Sequence, residues 1–155
     1  MKPNEFIAKI GEFARQDMQK SGILASLTIA QAIVESGWGK YDCGGNNLFG
    51  IKGEYNGNFV ECPTKEYYNG QYANTMGYFR KYPSWAESLQ DHSDFIKSVK
   101  LGDGSLRYKA VIGETNYKKA CQAIKDAGYA TSPTYAQTLI NIIEQYNLYE
   151  FDKPQ

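Results

Sequence analysis

The sequence predicts an α+β fold, mainly α, in which a helical body carries a small β-hairpin lobe and the two lobes flank a cleft. Three observations predict it. Apolar residues recur at helical spacing near the N-terminus and again after Pro83. The stretch from Cys43 to Tyr82 is instead rich in Gly, Asn and Tyr. A nearly all-apolar helix ends on Glu35, immediately before that change of texture. At 155 residues the chain has the size of one domain with a real core, and residues 1–155 are read as a single domain with its core at about 4–149.

Each element has a local reason. Phe6, Ile10, Phe13 and Ala14 lie on one helical face after Asn4, and Gly22 follows, so the first helix is expected from about Asn4 to Lys20. The second should run from about Ser26, as N-cap, to Ser36; Leu27, Ile29, Ala30, Ile33 and Val34 leave it little polar surface, which places it in the core. Phe59–Cys62 and Thr75–Tyr82 are expected strands around the turn signal Tyr68-Asn69-Gly70. Ser84-Trp85-Ala86-Glu87 has the form of a capping box and opens a helix to about Val99. A further helix spans about Asn116 to Ala127 and stops at Gly128. The last starts at Ser132-Pro133, with Ser as N-cap and Pro at the first helical position, and reaches about Tyr146; the tail after Phe151 is expected to fray.

Composition excludes several partners. Seventeen basic residues balance seventeen acidic ones, so no net field recruits nucleic acid or an anionic membrane, and no segment has the length and hydropathy of a membrane span. The N-terminus lacks the apolar stretch of a secretory leader, which fits either release by another route or a domain cut from a longer exported protein. Thirteen Tyr, seven Phe and two Trp give flat apolar faces with polar tips, a surface that suits sugar rings as well as an ordinary core. Cys43, Cys62 and Cys121 are odd in number and lack metal-ligand spacing. Free or buried thiols are the expectation, with a Cys43–Cys62 bridge left open. One His and no Asp-x-Asp-x-Asp-Gly loop leave nothing for a metal, and no cofactor is expected; His92 is read as a surface or core residue. A monomer is the expected state.

The chemistry centres on Ala32-Ile33-Val34-Glu35-Ser36-Gly37-Trp38-Gly39, followed by Asn46-Asn47-Leu48-Phe49-Gly50-Ile51-Lys52-Gly53. A carboxyl group held against apolar and aromatic surface stays protonated toward neutral pH, as a general acid must. Glycines after the helix leave room for a bulky ligand to approach the backbone. Glu35 is therefore the first catalytic candidate.

These two motifs, with Phe79-Arg80-Lys81-Tyr82 leading into Ser84-Trp85 and with Gly128-Tyr129-Ala130-Thr131-Ser132-Pro133-Thr134-Tyr135-Ala136, run in order from about Phe6 to Tyr146. They resemble the glucosaminidase domains of glycoside hydrolase family 73, found in bacterial autolysins, flagellar peptidoglycan hydrolases and phage endolysins. The resemblance implies a lysozyme-like fold and cleavage of the β-1,4 bond after N-acetylglucosamine in cell-wall peptidoglycan, outside the cytoplasm, with Glu35 as the acid. It also implies a second carboxylate at Glu66, in Thr64-Lys65-Glu66-Tyr67-Tyr68-Asn69-Gly70, with Glu61 and Glu54 as competitors. A substrate-assisted route, in which the sugar's N-acetyl oxygen attacks, would give Tyr129 more weight. Asn47, Phe49, Trp38 and Tyr135 are candidates for contact with the glycan. Many family members carry Asp where this chain has Ser132, an exchange that keeps a capping role and loses a charge. The competing expectations are a muramidase or lytic transglycosylase on the same glycan, and a binding module without catalysis.

Overall fold

The periodicities resolve into five α-helices and one antiparallel hairpin in the computed structural model, which describes residues 1–154, with the backbone alone for Glu66, Tyr67 and Tyr68. Helix α1 spans Pro3–Ser21, one residue longer than expected at each end. Pro3 needs no N–H at a helix start, and Gly22, at φ 75°, closes the other end by donating its N–H to the Met18 carbonyl. Phe6, Ile10 and Ala14 form its buried stripe.

Helix α2, Ala25–Ser36, is the centre of the molecule, buried from Ala25 through Ile33 and packed against α1 and the C-terminal elements. Its N-terminus corrects the sequence reading. Ser26 lies inside the helix, and the cap comes from the far end of the chain. The Asp152 carboxylate accepts from the Ser26 N–H at 2.8 Å and from its hydroxyl at 2.5 Å. Asp152, expected to belong to a frayed tail, is therefore held in place, because the orphan amides of a buried helix start need an acceptor that water cannot supply.

Strands β1 (Phe59–Tyr68) and β2 (Gln71–Arg80) pair from Phe59 opposite Arg80 to Tyr68 opposite Gln71, a longer ribbon than expected. Asn69 and Gly70 both take positive φ, 51° and 81°, as a two-residue hairpin turn requires. Pro63 does not end β1, since every second N–H of a two-stranded ribbon faces an open edge. The base of the ribbon is tied to the body: Gly53 and Arg80 N–H donate to the Tyr78 and Ile51 carbonyls, and a Cys43–Cys62 disulfide joins the loop after α2 to β1. That bridge replaces the expected free thiols. Spacing alone could not disclose it, because the left-handed turns at Cys43 and Gly44 bring the loop back onto the strand. Cys121 is free and buried.

Helices α3 (Trp85–Ser98), α4 (Tyr117–Asp126) and α5 (Tyr135–Gln145) complete the body, with a short 3-10 helix at Leu148–Asp152. Asn116 caps α4 by accepting from the Lys118 and Lys119 N–H groups. At α3 the Ser84 hydroxyl bonds the Glu87 carboxylate instead of a backbone N–H. Helix α5 begins at Tyr135, later than expected, because Ser132 and Pro133 enter a turn in which the Ser132 hydroxyl accepts from the Thr134 N–H. Among the described residues no helix is long and apolar enough to cross a membrane.

Candidate active site

Helix α2 ends at Ser36, directly after Glu35, because Gly37, at φ 57°, terminates the turn, and the chain then wraps under the hairpin. Between the lobes lies a cleft of about 490 Å³, whose walls include Glu35, Phe49, Ile51, Arg107, Tyr108 and Tyr129. The Glu35 side chain opens into this cleft, so its own surface reaches solvent, while protein closes around it on the other sides. That partial desolvation holds its pKa above the usual 4.5, opposed by a hydrogen bond from Tyr135.

The Tyr135 hydroxyl donates to Glu35 Oε1 at 3.1 Å, and its oxygen accepts from Gln31 Nε2 at 3.1 Å. The order fixes the direction of the proton. Because the Gln31 amide occupies the phenol oxygen, the hydroxyl hydrogen is aimed at the carboxyl group. Gln31 lies one helical turn before Glu35, the single amide on a buried apolar helix. Sequence reasoning passed over it, although a buried amide at that spacing was a visible signal. Tyr135 is 5% exposed and stacks on Tyr129 with ring centroids 6.0 Å apart. Tyr129 belongs to the cleft wall, and burial, with Glu35 and Tyr135 nearby, raises its pKa well above the ordinary value.

Glu35, Phe49, Tyr129 and Tyr135 thus come together. Phe49 forms a wall backed by His92, with ring centroids 3.9 Å apart. His92 is fully buried, and desolvation lowers its pKa to about 3, so the ring is neutral. Asn47 is placed differently. Its amide nitrogen donates to the Ile51 and Arg80 carbonyls, and its oxygen accepts from the Phe49 and Ile51 N–H groups. All of its hydrogen-bonding capacity is spent on folding the Phe49–Ile51 loop against β2. Trp38 is not among the cleft walls; its ring packs edge-on against Phe6 and Tyr146.

The Glu66 side chain lies outside the described residues; its backbone pairs with Ala73, four positions beyond Cys62 in β1. Glu61 has the opposite strand parity to Cys62 and takes a hydrogen bond from the exposed Tyr78 hydroxyl. The sequence reading missed Arg107 and Tyr108, which come from a loop without motif. Among the described residues no group of His, Cys, Asp or Glu side chains could hold a metal ion. The cleft thus presents a carboxyl group whose pKa is raised by desolvation and whose oxygen is met by a phenol hydroxyl.

Residues 11–148 match the glucosaminidase family model, described as mannosyl-glycoprotein endo-beta-N-acetylglucosaminidase. The chain is 39% identical over 151 residues to the exo-glucosaminidase LytG of Bacillus subtilis, covering 96% of this chain and 53% of that protein. A probable N-acetylmuramidase of Lactococcus lactis is 39% identical over 150 residues, covering 95% of this chain and 34% of its own length. The chain therefore spans about half or less of these relatives. The catalytic domain of the autolysin Auto from Listeria monocytogenes superposes with a TM-score of 0.89 at 36% identity, covering 98% of this chain and 90% of that one. With its match over nearly the whole domain and its carboxyl-bearing cleft between a helical body and a hairpin, the chain belongs to the glucosaminidase family of glycoside hydrolases.

Proposed function

We propose that this domain hydrolyses the glycan of bacterial peptidoglycan at the β-1,4 bond after N-acetylglucosamine, acting at the cell wall. The observation that carries the reading is Glu35, a carboxyl group with a raised pKa in the cleft, with Tyr135 aimed at it. Protonated Glu35 gives its proton to the glycosidic oxygen as the bond to C1 breaks and an oxocarbenium-like centre develops. The carboxylate left behind keeps the Tyr135 O–H bond, which strengthens as charge appears on it. Glu66 is the proposed second carboxylate. Its backbone pairs with Ala73 within the hairpin lobe. Tyr129, in the cleft wall, orients the substrate's N-acetyl group if that group attacks instead.

A second reading, muramidase, is favoured by the Lactococcus relative, which is as similar as LytG and is named for the other glycan bond. Digestion of purified peptidoglycan, followed by reduction and mass analysis of the fragments, separates the two. Reduced N-acetylglucosamine ends are expected; reduced muramic ends would replace the proposal by the muramidase reading, and anhydromuramic ends by a lytic transglycosylase. Loss of turnover in Glu66→Gln supports the carboxylate partner, and undiminished turnover there supports substrate assistance.

A further inference from the structure

The charged residues on the cleft wall are unevenly signed, although the whole chain is neutral. Lys52, Arg80 and Arg107 line it, and Glu35 is the lone carboxyl group among the described lining residues. Arg80 is matched by Asp91 at 2.7 Å. Arg107 has no carboxylate partner among the described residues.

Its guanidinium is nevertheless held firmly. Nε donates to the Ala127 carbonyl at 2.7 Å and Nη2 to the Gly128 carbonyl at 3.0 Å, while the group lies over the Tyr108 ring at 5.5 Å. Gly128 makes this approach possible: a Cβ there would come within 2.6 Å of Nη2, and its φ is 87°. Two of the five N–H donors fix the plane, and three remain with no acceptor among the described residues. Neutral carbonyls orient the charge without cancelling it. A planar, uncompensated guanidinium at the edge of a cleft is a preorganised receptor for a carboxylate.

We propose that Arg107 binds a stem-peptide carboxylate of the substrate, so that the cleft selects a glycan bearing acidic substituents over a neutral chain with the same sugar backbone. This rests on the peptidoglycan reading above, and the test keeps the two apart. Binding of the Glu35→Gln protein is measured by cosedimentation with teichoic-acid-free peptidoglycan, and with the same material after carbodiimide coupling of its carboxylates to ammonia. Glu35→Gln is expected to bind the native wall about tenfold more tightly than the amidated wall, the size of one charge-assisted hydrogen bond at a partly exposed site. Adding Arg107→Gln should lower binding to the native wall by about the same factor and leave binding to the amidated wall unchanged. Arg107→Lys should retain an intermediate preference. If Arg107 only props the Ala127–Gly128 turn, both substrates lose equally, and that result overturns the proposal. Binding of Glu35→Gln to native and amidated wall with equal affinity overturns it as well. Failure to bind either wall overturns both this proposal and the peptidoglycan reading, whereas muramic ends in the digest would change the bond assignment and leave Arg107 untouched.

Discussion

Glu35, Tyr135 and Gln31 form a chain in which each member sets the state of the next. Burial raises the Glu35 pKa and the Tyr135 bond lowers it, so Tyr135→Phe should raise it further. The alkaline limb of the pH–rate profile should move to higher pH, while the maximal rate drops about tenfold or more because the new carboxylate loses its donor. An unshifted limb would separate Tyr135 from the acid. The same pKa has a stability consequence. A carboxyl group whose folded-state pKa is raised binds its proton more readily folded than unfolded, so ionising it costs stability as pH climbs from the unfolded value through the folded one. Glu35→Gln removes that cost. Its melting temperature should equal that of wild type below about pH 4 and exceed it at a pH above the folded-state pKa, where the difference levels off. Thermal melts at the two pH values check this, and a constant difference would contradict it. Glu35 itself was legible from sequence because helix end, Trp and glycines are local signals. Gln31 and Tyr135 are 104 residues apart, and no local pattern announces their bond.

At the scale of elements, the hairpin depends on its base. Asn69-Gly70 and the alternating strands were readable, since turn chemistry is local, but the tie to the body was not. Beyond Pro63 and Met76 the ribbon extends past its anchors, so the direction of its outer half is set by the loop contacts and by Cys43–Cys62. The bridge closes a loop of 19 residues. Its removal in Cys43→Ser/Cys62→Ser should cost about 3 kcal/mol, by loop-closure entropy. Turnover should fall severalfold with Glu35 intact, because the second lobe loses its alignment. Denaturant melts and wall-digestion rates measure the two effects, and full activity in the double variant would show that the backbone ties alone hold the hairpin. His92 makes the opposite prediction. Its ring nitrogens have no partner among the described residues, so His92→Phe should retain activity and match or exceed wild-type stability in the same melts.

Across the whole molecule, Phe151 and Asp152 close onto α1 and the start of α2. Asp152 caps α2, and Phe151 packs over Gly11 of α1 so closely that a Cβ at Gly11 would overlap its ring. Asp152→Ala should destabilise the domain by about 1–2 kcal/mol, the range of a lost N-cap, seen as an earlier denaturant midpoint with an unchanged slope. The sequence reading placed the helix start at Ser26 because a lone Ser there is a sound local signal; the real acceptor lies 126 residues away. The same logic hid Arg107, whose partners are backbone carbonyls without sequence character. The architecture, helix α2 and two of the cleft aromatics, Phe49 and Tyr129, were legible, whereas Trp38 packs elsewhere, Tyr108 was missed, and the pairs that join distant segments were not visible. Those pairs determine where Glu35 sits. The most direct test of its role compares peptidoglycan turnover by wild type and Glu35→Gln, with wall binding measured alongside. A loss of about 100-fold to 10,000-fold in turnover with binding retained is expected, the contribution of a positioned general acid. Turnover within about tenfold of wild type, a loss smaller than general acid catalysis supplies, would contradict it.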